Sequence, residues 1–256
     1  KQSRGVHSFR GPRFYRRVTM NDWASVLGMP LWAWLFVMPT IIAVFSYTNP
    51  VTVKRILTPI WRYLDKVYTA SGALAAICMV LILLIIVMQM IARWSSVSFQ
   101  GSTEFAGYAM AATSFFAFAY ALNNGAHIRV SIVLNINNFT RRWVDAFAML
   151  IASIIATYFA RYAVKTNFMS DMLNDRTQGM DQVPEWLLTL VSMFGTWPTK
   201  WGELWSQSGS EWVYTPVWLP QLPMSIGTTL LAIALWDNLY RLLINGKTSI
   251  KREAVE

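Results

Sequence analysis

Residues 70–92, ASGALAAICMVLILLIIVMQMIA, carry no charged side chain across 23 consecutive positions. About 20 apolar residues are enough for a helix to cross roughly 30 Å of hydrocarbon. In hydrocarbon every backbone N–H and C=O must be paired, which leaves only helices and closed barrels. A barrel strand alternates apolar and polar residues, whereas this run is continuous, so a helix is the reading. Composition agrees: 55% of the chain is hydrophobic and 14% charged, where soluble domains carry about 25% charged residues.

Three further runs have the same character. Phe105 to Leu122 is uncharged and rich in Ala, Ser, Thr and Gly, small residues that let helices approach closely in lipid. Trp143 to Tyr162 has charges only near its ends, Asp145 and Arg161. Val217 to Trp236 is uncharged, and Pro220 and Pro223 near its start mark the beginning of a helix, where proline is tolerated. A fifth run, Trp23 to Val53, is also uncharged but is punctuated by Pro30, Pro39 and Pro50. Its flanks are both basic, with six Lys or Arg against one Asp in residues 1–26, then Lys54, Arg55, Arg62 and Lys66 against Asp65. Cytoplasmic loops collect such cations, so both flanks belong on one side and residues 29–46 are expected to be re-entrant or in-plane, with a fifth crossing as the alternative. The expected fold is an all-α membrane protein with four transmembrane helices, an N-terminal re-entrant or in-plane apolar segment and a Trp-rich periplasmic insert.

Charge also orients the chain. The net charge of +9 comes from cations at span ends and in the tails, a placement that fits anionic lipid and the positive-inside rule rather than nucleic acid. The loop Asn123 to Arg142 has Arg129, Arg141 and Arg142 and no acid, while Thr166 to Pro216 has six acids against Arg176 and Lys200. Both termini are therefore expected in the cytoplasm. The first 22 residues are basic and polar, without the compact apolar core of a cleavable signal peptide. The expected organisation is a basic extension with the apolar segment and an amphipathic lead-in over 1–69, a four-helix domain over 70–245 with an insert at about 182–215, and a basic tail over 246–256.

Within that insert, Trp197, Trp201 and Trp205 recur every four residues, so a helix there would place them on one face. Such density fits either a helix lying flat on the outer leaflet or a docking surface for a partner. Signs of catalysis are sparse. Two histidines 120 residues apart and one cysteine, Cys78, do not assemble the usual zinc or haem ligand sets. No glycine-rich phosphate loop is present. The reading is no enzyme, with no catalytic, cofactor or metal site. What remains are charges at span ends. Arg93 closes the first strong span and Glu104 opens the second 11 residues on; an ion pair between them would fix the hairpin, and two independent interfacial charges are the alternative. His127 and Arg129 follow the second span, either as a helix-end turn or as a titrating or binding site.

GSTEFAGYAMAATSFFAFAYALNNGAHIRVSIVL, residues 101–134, resembles the signature of the small membrane subunit, Q or DctQ type, of tripartite ATP-independent periplasmic (TRAP) transporters. The matching positions are Arg93, Glu104 and the turn Gly125, His127, Ile128 and Val130, with Ser131 where an acid is common. PVWLPQLPMSIGTTLLAIAL (216–235) and DRTQGMD (175–181) are similar to the family's last helix and outer loop. The resemblance covers roughly residues 60–245. It implies a scaffold subunit in a bacterial inner membrane. Its partners would be a large, many-helix membrane subunit that moves an organic anion, a carboxylate or sulfonate, with sodium, and a periplasmic solute-binding protein. Membrane lipids are the remaining partner. The alternative is a TRAP-like accessory subunit of another membrane complex, respiratory or photosynthetic. Within the first reading, the small-residue helix packs against neighbouring helices and His127 and Arg129 pin a cytoplasmic turn.

Overall fold

The computed structural model describes Trp23 and residues 25–124, 138–194, 196–206 and 208–245. The predicted turn at Gly125, His127 and Arg129, most of the basic extension before Ser25 and the tail after Asn245 lie outside the described residues.

The chain begins with a two-residue hairpin, β1 (Ser25–Val26) against β2 (Met29–Pro30). Leu27 and Gly28 turn it at φ 51° and 82°, the pair of positive angles that such tight turns demand. A π-helical turn, Ala33–Val37, runs into α1, Met38–Thr48. The prolines explain the breaks. Pro39 sits in the first turn of α1, and Pro50 opens the next helix after the non-helical Asn49, because a residue before proline avoids helical geometry. The 16 residues from Ala33 to Thr48 rise about 24 Å as helix, short of the hydrocarbon thickness.

Among the described residues, four helices are long and apolar enough to cross a membrane: α2 (Pro50–Trp94), α3 (Ser102–Asn123), α4 (Asn138–Met172), through its stretch Trp143–Met172, and α7 (Trp218–Asn245). The lead-in and the first span are one helix of 45 residues, with Pro59 inside it. α7 lies between α3 and α4, and α2 packs mainly on α3. Two glycines set the spacing. A Cβ on Gly227 of α7 would stand 2.4 Å from the Phe115 carbonyl oxygen of α3, and one on Gly72 of α2 would meet the Tyr120 ring at 2.5 Å. Along α3, Ala109, Ala112, Phe116, Ala119 and Leu122 are buried, so the small-residue face predicted there packs inside this chain, against α2 and α7. Apolar surface gives little drive for helices to associate in lipid, and hydrogen bonds between helices add to packing. Trp236 Nε1 donates to Thr157 Oγ1 at 3.0 Å, Ser225 to the Ala163 carbonyl at 3.1 Å, and Asn167 to the Trp218 carbonyl at 2.8 Å.

Between α4 and α7 the chain builds a separate small unit. β3 (Gln182–Pro184) pairs antiparallel with β4 (Trp212–Tyr214), Val183 opposite Val213. The clasp encloses α5 (Glu185–Phe194), a 3-10 turn at Pro198–Lys200 and α6 (Trp201–Ser206).

Candidate functional site

Polar chemistry gathers at two places, one at each end of α3 and α7. At the end where α3 and α7 begin, Asp181 is fully buried. Tyr108 Oη donates to its carboxylate at 2.6 Å and Thr177 Oγ1 at 2.7 Å, while Thr215 Oγ1 donates to its backbone carbonyl. Burial alone would raise the carboxyl's pKa, but the hydrogen bonds from Tyr108, Thr177 and its own backbone N–H outweigh it and hold Asp181 below the usual carboxylate range. Beside it the Met180 amide donates to Glu104 Oε1 at 3.3 Å. Gly101 permits this approach: its φ is 77°, and a Cβ would sit 2.7 Å from the Met180 carbonyl oxygen. The DRTQGMD loop is thus clamped onto the first turns of α3. Its other side is tied to the strand leading into α7, Thr177 N–H to the Thr215 carbonyl and Val217 N–H to the Asp175 carbonyl.

At the opposite end, Arg241 of α7 lies between two carboxylates. Its Nη2 stands 2.8 Å from Asp65 Oδ1 and 3.0 Å from Asp237 Oδ2, its Nε donates to Asp237 Oδ1 at 3.2 Å, and its guanidinium covers the Trp61 ring at 5.2 Å. Tyr68, also buried, makes a long 3.5 Å hydrogen bond to Asp237 Oδ2. Tyr240 Oη donates to the Pro39 carbonyl at 3.1 Å, which joins the N-terminal segment to the same end of α7. One guanidinium shared by two acids makes a lock between α2 and α7. Sequence reasoning missed it, having ended the last span at Trp236. The signal was there: Asp237 and Arg241 are four residues apart, one helical turn. Nothing local, however, points to Asp65, 176 residues away.

The predicted site residues separate. Arg93 and Glu104 do not pair; among the described residues no ion pair joins them, and Glu104 turns to Met180 because the left-handed Gly101 directs the first turn of α3 toward the 175–181 loop. Arg93 ends α2, where a cation complements the exposed carbonyls of the last turn. The tryptophans do not form a single stripe either. Trp197 is extended, at φ −63° and ψ 142°, because Pro198 disfavours helix at the residue before it. Trp197 is 83% exposed, and Trp201 and Trp205 share α6 with about half their surface exposed. Trp201 Nε1 donates to the Met193 and Thr196 carbonyls at 3.0 and 3.2 Å, folding α6 back on the end of α5. Among the described residues no three His, Cys, Asp or Glu side chains gather as a metal site would require.

Four apolar spans with polar clasps at their ends define a multi-pass helical membrane protein. Residues 82–199 match the family described as tripartite ATP-independent periplasmic transporters, DctQ component, so the chain carries a DctQ-type segment, that of the small membrane component of TRAP transporters. The match starts inside α2 and ends within the insert, leaving α7 outside it. Searches of curated proteins and of solved structures returned no match. DctQ components work with a large membrane subunit and a periplasmic binding protein in a tripartite system.

Proposed function

We propose that the chain is a non-catalytic scaffold subunit of a sodium-coupled TRAP transporter for an organic anion, supporting the large permease subunit and offering a docking platform to the binding protein. The DctQ match carries this reading. The surface of α2 supports it: Met79, Val80, Leu83 and Leu84 are all more than half exposed, an apolar face with the extent that a membrane partner would cover. In this reading the chain sits in a bacterial inner membrane with both termini cytoplasmic. Exposed Lys54, Arg55, Arg62 and Lys66 lie toward the cytoplasmic end. The clasped unit from Gln182 to Tyr214 lies outside, widening the platform through Trp197, Trp201 and Trp205. The division into 1–69, 70–245 and 246–256 follows the same reading.

Affinity purification of the tagged chain in mild detergent tests it. A many-helix membrane subunit should be recovered with the chain, and reconstituted vesicles should take up an organic anion on a sodium gradient. Recovery of respiratory or photosynthetic subunits instead would establish the accessory-subunit alternative. Changing Met79 and Leu83, one turn apart on α2, to tryptophan keeps the span apolar and should reduce recovery of the large subunit while the chain's own stability holds. Ala112, packed against Ala75 and Phe116, reports instead on folding.

A further inference from the structure

α2 has 45 residues, about 67 Å of helix, twice what the hydrocarbon requires. Its uncharged run fills only residues 67–92, so its first turns lie at and beyond one membrane boundary. At about 100° per residue these turns divide into three faces. Taking Arg55 as the origin, Arg62 and Lys66 fall within about 20° of it, and Ile56, Tyr63 and Ile60 lie between about 80° and 140°. Val53, Leu64 and Tyr68 follow at about 160° to 220° and are the residues turned into the bundle. The first two groups are exposed, Ile56 at 61% and Tyr63 at 69%. The single acid of this stretch, Asp65, is drawn to Arg241 and does not neutralise the basic face.

We propose that this surface of α2 binds anionic phospholipid: Arg62 and Lys66 take the phosphate-bearing headgroups, Arg55 adds attraction from farther along the helix, and Tyr63 and Ile60 lie toward the acyl boundary beside them. A basic stripe bordering an apolar one is the pattern of helices held at a membrane surface, and charge complementarity favours anionic lipid over zwitterionic. Continuity with a spanning helix brings Arg62, Tyr63 and Lys66, the turns next to the uncharged run, to the headgroup layer. The inference needs only that the chain spans a membrane and does not depend on the transporter reading.

The test uses the full chain reconstituted in phosphatidylcholine vesicles, with spin-labelled phosphatidylglycerol or spin-labelled phosphatidylcholine as the probe of motionally restricted lipid. Selectivity for the phosphatidylglycerol label should be present at low salt and fall as salt rises. It should drop about fivefold for each charge that reaches the surface in R62Q/K66Q and again in R55Q/R62Q/K66Q. These side chains are exposed, so thermal stability should hold. A control that removes three cations from the C-terminal tail, K247Q/K251Q/R252Q, should change selectivity less. Unchanged selectivity in the α2 triple variant, or an equal loss in the tail variant, would overturn the proposal. Loss of a co-purifying protein with lipid selectivity intact would assign the surface to that protein instead.

Discussion

Asp181 has no exposed surface and keeps its charge because neighbouring side chains donate to it. A carboxyl whose folded pKa lies below its ordinary 3.8 adds stability that is fully present above pH 3.8 and is lost as the pH falls through the lower folded value. Asp181→Asn should therefore cost about 1–3 kcal/mol at neutral pH, and its thermal unfolding should converge with that of the unaltered chain as the pH falls from 3.8 through the lower folded value. A gap that stays constant down to pH 2 would contradict this account. At the other clasp, Arg241→Ala leaves Asp237 buried without its cation, and removing one partner of a buried pair costs about 3–5 kcal/mol. Asp65→Asn should cost clearly less, because Asp65 is 46% exposed on its side chain and water replaces part of the contact. Chemical denaturation of the three proteins in detergent ranks them.

Among the helices, the glycines of α3 and α7 separate close packing from propensity. Gly227 faces the Phe115 backbone with no room for a methyl group, whereas nothing lies within 4 Å of a Cβ built on Gly107. Gly227→Ala must push α3 and α7 apart and should cost about 1–3 kcal/mol. Gly107→Ala should be neutral or stabilise by up to about 1 kcal/mol. Thermal unfolding should give the two substitutions opposite signs, and similar shifts would refute the close approach. In the insert, the β3–β4 clasp positions α5 and α6 while Trp197 projects outward. Trp197→Ala should leave stability unchanged, within about 0.5 kcal/mol, and a measured loss would show that Trp197 packs against the fold.

For the molecule as a whole, the proposed direction of the chain rests on charge, and one measurement decides it. With Cys78 replaced by Ala, Ser3→Cys should react with an impermeant maleimide only from the cytoplasmic side. Labelling from outside would place Ala33–Thr48 across the membrane and invert the proposed N-terminus. α7 is the most buried of the four spans and α2 the least, which leaves α2 as the face open to another membrane subunit or to lipid.

Several parts of this architecture were legible in the residues alone. Uncharged length dictates four spans because hydrocarbon tolerates no unpaired backbone, and the prolines at 30, 39 and 50 mark the breaks before α2 because proline fixes its own backbone and restricts the residue before it. The small residues of α3 announce a packed face, though not which helices it meets. Pairing across distance is decided by tertiary structure. Arg93 and Glu104 are near in sequence and do not meet, whereas Asp65 and Arg241 do, since helix order and the rotation of each helix determine which charges share an interior. Local spacing carries the periodicity of one helix and the chemistry of one turn. The depth at which Asp181 is buried, and the partner each charge takes, exist only once α3, α7 and the 175–181 loop have been brought together.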